Sequence, residues 1–525
     1  VRRAMPVWIY RYDIIMQWNI KRIIVSGLSG GCGKTFVTIG IASALKKRGM
    51  DVFPFKKGPD YIDSAWLSSA TGKPCYNLDT FLMGTDGVVH SFESHIGVSA
   101  LCNYCNDPSC ARCEQLKWFL NEKIAIIEGN RGLFDGMDEN GTYSTAELAK
   151  LFKTNVILVL DSTKSTRTLA AQVLGCQKMD SDLKIAGVIL NRVAGRRHED
   201  IARASIEKIC GVPVIGAIPK LENNRFPERH LGLITPDEYP ETEQAIGYAT
   251  EIVESYIDLG RLINIAETNE PLTLNRHNIR RIQGLRDKEK VRVGVVKDAA
   301  FSFYYPDNIE ALKQLNAEII ELSAIEDRML PDIDALYIGG GFPETNALKL
   351  TENKDFISSV KEAIEDGLPV YAECGGAIYM GKSVTYKDKT YSMTGVLPIE
   401  FYFTKHPQGH GYTILEVEEQ NPYFKLHSII HGHEFHYSGA ANLESGKIKF
   451  IFNVRKGYGF NKEKDGILYK NLLAVYTHIH AAGSPQWATN FISLAERFSN
   501  YRKHGSAISS DKDFFCDGYY CDVSA

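Results

Sequence analysis

Cys374 stands in the run Ala372-Glu373-Cys374-Gly375-Gly376, where an apolar stretch gives way to small residues. A sharp strand-to-helix turn there exposes the thiol, and a following helix N-terminus favours the thiolate. A nucleophilic cysteine also needs a base. Val475-Tyr476-Thr477-His478-Ile479-His480 supplies two imidazoles downstream, of which His478 is the candidate. Upstream, Gly339-Gly340-Gly341-Phe342-Pro343-Glu344 offers backbone N–H donors from Gly340 and Gly341 to an oxyanion.

A second chemistry sits at the other end of the chain. Gly27-Leu28-Ser29-Gly30-Gly31-Cys32-Gly33-Lys34-Thr35 lies between a β-branched run and a helical segment. Glycines let the backbone N–H groups turn toward a polyphosphate, and the helix N-terminus adds partial positive charge. Gly30, Gly31 and Gly33 form the loop, Lys34 reaches the terminal phosphates, and the Thr35 hydroxyl holds Mg²⁺. The loop is one residue longer than the standard pattern and resembles the dethiobiotin-synthetase-like branch of P-loop enzymes, which activate carboxylates. Lys56-Lys57-Gly58-Pro59-Asp60-Tyr61-Ile62-Asp63 follows the next strand, and strand ends of open α/β sheets are where ligands bind. Lys56 is assigned to the nucleotide, and Asp60, Tyr61 and Asp63 to the substrate. Glu128 ends an apolar strand (IAIIE), the logic of an acid beside Mg²⁺. The predicted Mg²⁺ set is Thr35, Asp60 and Glu128.

The elements that must position these groups follow from periodicity. Strands are predicted at 21–26, 51–55, 124–127, 156–160, 185–190 and 214–217, with a helix at 36–48 after the glycine loop. Such alternation argues for a mostly parallel sheet covered on both faces. The polar stretch 275–290 reads as the tail of a helix plus a linker. A second α/β series follows, with strands at 291–296, 318–322, 335–338 and 369–372, helices at 308–315 and 356–366, and a strand-rich region from about 385 to 475. The fold class is therefore α/β in two domains. The expected division is an extension at 1–20, a P-loop domain at 21–285, a second α/β domain carrying Cys374 and His478 at 291–500 and a poorly ordered tail at 501–525.

The bulk numbers restrict the alternatives. A chain of 525 residues needs two or three domains. A net charge of -4 gives no reason to expect nucleic acid held by bulk charge. No apolar run has the length of a membrane span. Eleven cysteines in so long a chain do not read as a secreted disulfide scaffold, so a cytoplasmic location is expected. The first residues do not make a signal peptide, and Met16 is a candidate start. Cys102, Cys105, Cys110 and Cys113 form paired CxxC units in an insertion at 102–113, suited to structural Zn²⁺ or an iron–sulfur cluster, with a mobile thiol-rich loop as the alternative. His431, His433, Glu434 and His436 crowd together, but with the wrong spacing for a helical zinc motif.

The Cys374, His478 and Gly340-Gly341 stretches together resemble class I glutamine amidotransferase domains, which usually carry Glu two residues after the His. Here His480 stands in that position, which leaves the group orienting His478 unidentified. Across the whole chain the resemblance narrows. Runs at 57–63 (KGPDYID), 77–79, 132–136 (GLFDG), 191–192, 228–232 (ERHLG), 298–306 (DAAFSFYYP), 339–344, 372–376 and 432–438 (GHEFHYS) resemble the cobyrinate a,c-diamide synthase family. That resemblance makes 432–438 a strand or loop lining the amidotransferase site and adds Asn191 to the nucleotide set. It implies that ATP phosphorylates a substrate carboxylate at the P-loop and that ammonia released at Cys374 displaces the phosphate. It implies this twice, at the c and a side chains of cobyrinate in cobalamin biosynthesis. The implied partners are a corrinoid or related tetrapyrrole, ATP and L-glutamine, with a homodimer left open. A nickel-sirohydrochlorin a,c-diamide synthase of coenzyme F430 biosynthesis is the near alternative. A non-catalytic P-loop regulator is the distant one.

Overall fold

A computed structural model describes residues 17–97, 122–273 and 289–504, apart from 19, 222–225, 227, 230–231 and 444–447. The four insertion cysteines, the segment 274–288 and the tail beyond His504 lie outside the described residues.

Seven parallel strands form the first sheet, in the order Tyr76–Leu78, Asp51–Lys57, Lys123–Gly132, Lys21–Gly27, Val156–Asp161, Ile185–Val193 and Val214–Pro219. The central runs are apolar on both faces, as helices on either side demand. The glycine loop joins the central strand Lys21–Gly27 to the helix Lys34–Lys47. The strand Lys123–Gly132, which carries Glu128, lies beside that central strand, and the strand Asp51–Lys57, which leads into Lys56–Asp63, lies next beyond, so the parallel order gathers the three stretches toward the C-terminal ends of the strands.

The packing reaches past the expected boundaries. Gln17–Trp18 pairs with Leu272–Thr273, and Ile20 is buried in the first core. Buried Arg22 fastens this region, donating to the carbonyls of Ile20, Phe152, Lys153 and Glu270. At the other end the helix Pro485–His504 runs beyond residue 500, where a tail was expected.

The second sheet has ten strands. Five are parallel, in the order Ala317–Leu322, Val291–Val296, Ala335–Ile338, Val370–Glu373 and Leu472–Val475. The rest continue antiparallel through Lys464–Tyr469, Lys449–Lys456, Gly409–Val417 and Ile429–His436 to His478–Ile479. Only Tyr476 and Thr477 separate a middle strand from the outermost one. The sheet must therefore curl until its far edge returns to the end of Leu472–Val475. Asp465 secures that return by accepting from the N–H groups of Tyr476 and Thr477, both at 3.0 Å.

The two units meet over an apolar and hydrogen-bonded seam. Ile62, Trp66 and Phe342 share one core cluster. Tyr412 donates to Asp79 at 2.6 Å, Ser91 to Asp307 at 3.1 Å, and Glu310 lies 3.0 Å from His95.

Candidate active site

At the glycine loop, Gly31 (φ 74°) and Gly33 (φ 92°) take the left-handed conformation that a side chain resists. Asn191 buttresses the loop, its amide donating to the Cys32 carbonyl at 2.9 Å. A Cβ at Gly33 would stand 2.2 Å from that amide nitrogen. Gly30 has open space around it, and Lys34 is buried at the first turn of the helix.

The acids converge behind the loop. Thr35 donates to Glu128 at 2.6 Å and lies 3.2 Å from Asp63. Lys56, fully buried, reaches Asp63 at 2.6 Å, Glu128 at 3.0 Å and Asp60 at 4.0 Å. Burial opposes the Lys56 ammonium, but these carboxylates outweigh it and hold the charge. Burial, then the neighbouring Asp63, pushes Glu128 up to about 7. The same two causes push Asp60 up to about 6. Burial works to raise Asp63 as well, yet Lys56 and Thr35 hold it below the ordinary value. Asp60, two residues before the helix Ile62–Thr71, also accepts from the Asp63 N–H in its first turn at 2.9 Å.

Among the described residues no three acidic, His or Cys side chains converge as a ready-made metal site. The cation that the carboxylates enclose is Lys56 itself. The donors nevertheless suit a hard divalent ion: a hydroxyl and carboxylates, with the buried Glu128 Oε2 lacking a hydrogen-bond partner.

In the second unit the strand Val370–Glu373 ends at Cys374, whose φ of 47° and ψ of -98° mark a strained elbow. The expectation of a thiolate favoured by a helix is not met. The helix Gly375–Met380 is one short turn and a half, and burial, then Glu344 and Glu373, push the Cys374 thiol up. The pairing of Val370–Glu373 with Leu472–Val475 brings the His478 segment to the same strand end, where His478 meets Glu373, the neighbour of Cys374 in the chain. Gly340 and Gly341 separate and shape the two. A Cβ at Gly340 would stand 2.5 Å from His478 Cε1, and one at Gly375 would stand 3.0 Å from the Gly341 nitrogen. His478 Nδ1 is 3.3 Å from Glu373 Oε2, a contact that sequence reading missed although Glu373 directly precedes the cysteine. His480 turns away, 3.3 Å from Asp307 and against the Tyr305 ring.

Tyr61 links the two halves. It begins the helix Ile62–Thr71 of the first unit, yet its ring stacks on Phe303 (centroids 5.1 Å apart) and approaches Tyr305, His433 and His478. His433 lies in the strand Ile429–His436, opposite His478, with ring centroids 5.0 Å apart. Burial, then His478 and His480, hold it well below the usual imidazole range. A cavity of about 580 Å³ opens here, lined by Asp60 and Tyr61 from one unit and by His433 and His478 from the other. Its wall carries both signs of charge, Lys57, Arg131 and Lys456 against Asp60, Asp135 and Glu434.

The two halves match two known domains. Residues 23–234 match the CobQ/CobB/MinD/ParA nucleotide binding domain, and residues 292–486 the CobB/CobQ-like glutamine amidotransferase domain. The cobyrinate a,c-diamide synthase of Magnetococcus marinus is 39% identical over 475 residues, covering 90% of this chain and 97% of its own. The chain belongs to the cobyrinate a,c-diamide synthase family. Other members agree in extent: that of Archaeoglobus fulgidus is 35% identical over 92% of this chain and 99% of its own. That of Listeria innocua is 38% identical over 89% and 97%. As in the family, a nucleotide-binding ligase half is joined to a glutamine amidotransferase half, which makes ATP a co-substrate. No described helix is long and apolar enough to cross a membrane.

Proposed function

We propose that this chain uses ATP and glutamine to convert the a and c side-chain carboxylates of cobyrinate into amides in cobalamin biosynthesis. The observation that carries the proposal is the cavity bounded at once by Asp60 of the nucleotide half and His478 of the amidotransferase half. A carboxylate is a poor electrophile at neutral pH, and an acyl phosphate is a good one. The P-loop half transfers the terminal phosphoryl group of ATP to the acid, with Lys34 neutralising charge and Gly30, Gly31 and Gly33 holding the phosphates. Thr35, Asp60 and Glu128 would hold Mg²⁺ once Lys56 swings aside; the ion supplies charge neutralisation on the phosphates.

In the other half the buried thiol keeps its proton until His478 takes it as sulfur attacks the glutamine amide. The N–H groups of Gly340 and Gly341 steady the oxyanion. His478 then gives the proton to the departing ammonia, leaving a glutamyl thioester that water hydrolyses to glutamate. Ammonia crosses the shared cavity and displaces phosphate from the activated acid. Lys57, Arg131 and Lys456 on the cavity wall are the cations that could meet the carboxylates of the substrate.

The test is incubation with ATP, Mg²⁺, glutamine and either cobyrinate or nickel-sirohydrochlorin, with product masses read. Cys374→Ala should lose glutamine-dependent synthesis and keep ammonia-dependent synthesis. Diamide from the nickel substrate alone would move the reading to the F430 branch. Absence of glutamate release by the wild type would favour a regulator.

A further inference from the structure

The base of a Cys–His pair must present one ring nitrogen to sulfur as a lone pair, so the other must carry the proton. Something has to hold that proton and to stabilise the imidazolium that forms. The position two residues beyond His478 cannot: it is His480, committed to Asp307 and the Tyr305 ring on the seam between the two units.

The structure assigns this task to Glu373, and we propose it as the positioning residue for His478. Its Oε2 lies 3.3 Å from His478 Nδ1. Its other bonds leave no freedom to turn away: Tyr337 donates to Oε2 at 3.1 Å and the Ile479 N–H points to Oε1 at 3.4 Å. The carboxylate is 1% exposed, in a strand otherwise apolar. A buried acid there needs donors, and an Nδ1–H is one of them. With Nδ1 so occupied, Nε2 is the free nitrogen. It faces the glycine loop beside Cys374, where a Cβ on Gly340 would come within 3.2 Å of it. The other titratable groups facing His478 are His433 on the adjoining strand and Tyr61 on the facing helix, and Asp60 and Glu434 line the same cavity. His433 is held neutral by burial and by its neighbours, and Tyr61 is held as the phenol. Glu373 is the carboxylate that reaches the ring at hydrogen-bond distance.

The arrangement comes from the fold. Glu373 pairs in register with Val475 on the parallel strand, and the curl of the sheet returns His478 to the same strand end. One short segment thus provides both the nucleophile and the acid that orients its base.

This role rests on the glutaminase reading above, so the experiment measures glutamate release separately from ammonia-dependent synthesis. Glu373→Gln keeps the shape, but its one carbonyl oxygen can accept from only one of the two sides that Tyr337 and Ile479 occupy. We expect kcat/KM for glutamine hydrolysis to fall by roughly 10²–10⁴-fold. Removing the negative neighbour disfavours the imidazolium, so the acid limb of the pH profile should move to lower pH. Glu373→Asp should restore the limb, and Tyr337→Phe, which removes only the buttress, should leave it in place. Ammonia-dependent synthesis should stay near wild type. A wild-type rate and limb in Glu373→Gln would overturn the assignment, as would a Tyr337→Phe profile identical to that of Glu373→Gln. If Glu373→Gln loses both activities, a shifted limb in Glu373→Asp overturns it and an unshifted limb supports it. A wild type with no glutaminase activity overturns the reading of the domain, and this role with it.

Discussion

Replacing Gly340 by Ala should silence one half of the protein and spare the other. A Cβ at this position would lie 2.5 Å from His478 Cε1 and 3.2 Å from Nε2. Carbon atoms rest about 3.5–4.0 Å apart, so something must move by about 1 Å. The loop is the firmer partner: the Gly340 carbonyl accepts from the Phe303 N–H at 3.0 Å, and Phe303 Cβ would sit 3.3 Å from the added carbon. His478 would therefore swing off its alignment with Cys374. A misplacement of about 1 Å costs about 10²-fold in rate, or ~2.7 kcal/mol of barrier. Gly340 is outside the left-handed region, so the clash is the only strain introduced. Glutamate release should fall by about two orders of magnitude while ammonia-dependent amide synthesis continues. The assay runs both reactions on one preparation, with thermal unfolding as a check on folding. A glutaminase rate within about threefold of wild type would refute the argument, because such a retained rate leaves less than ~1 kcal/mol for the displacement. Parallel loss of both activities would refute it too.

Two further outcomes follow from the ligase half. Glu128 and Asp60, pushed up to about 7 and about 6, are partly protonated near neutrality. A divalent ion takes carboxylates only as anions, so Mg²⁺·ATP binding should release protons at about pH 6.5 and not at about pH 8.5. Calorimetry in buffers of different ionisation enthalpy reads this; a release that is unchanged in Glu128→Gln contradicts it. Gly247 lies exposed within the helix Thr242–Tyr256, where a Cβ meets nothing within 4 Å. Gly247→Ala should therefore raise unfolding stability by about 0.5–1 kcal/mol at unchanged activity, read as a higher midpoint in urea.

The strands on either side of the glycine loop were legible because parallel strands buried on both faces are runs of Ile and Val, as in Lys21–Gly27 and Val156–Asp161. Cys374 and Lys34 were legible because glycines flank them for reasons of backbone geometry. The segment before residue 21 was read as an extension, since a two-residue strand has no periodicity to detect; its pairing with Leu272–Thr273 is a contact between distant parts of the chain. The state of the thiol was misread from a local rule about helix ends. Burial first, then the carboxylates of the adjacent Glu373 and of Glu344 and Glu434 from other segments, push it the other way.

By itself, the sequence determined which groups this protein has for chemistry and the order in which they come along the chain. Glycine turns, apolar periods and short motifs are local properties, and local sterics act within a few residues of their cause. Only the tertiary structure decided who meets whom: Lys56 among three carboxylates, Tyr61 against His478, Glu373 behind the same imidazole. Those meetings depend on strand order and on the curl of a ten-stranded sheet. Both are set by the summed packing of residues far apart in the chain, which no short stretch of it records.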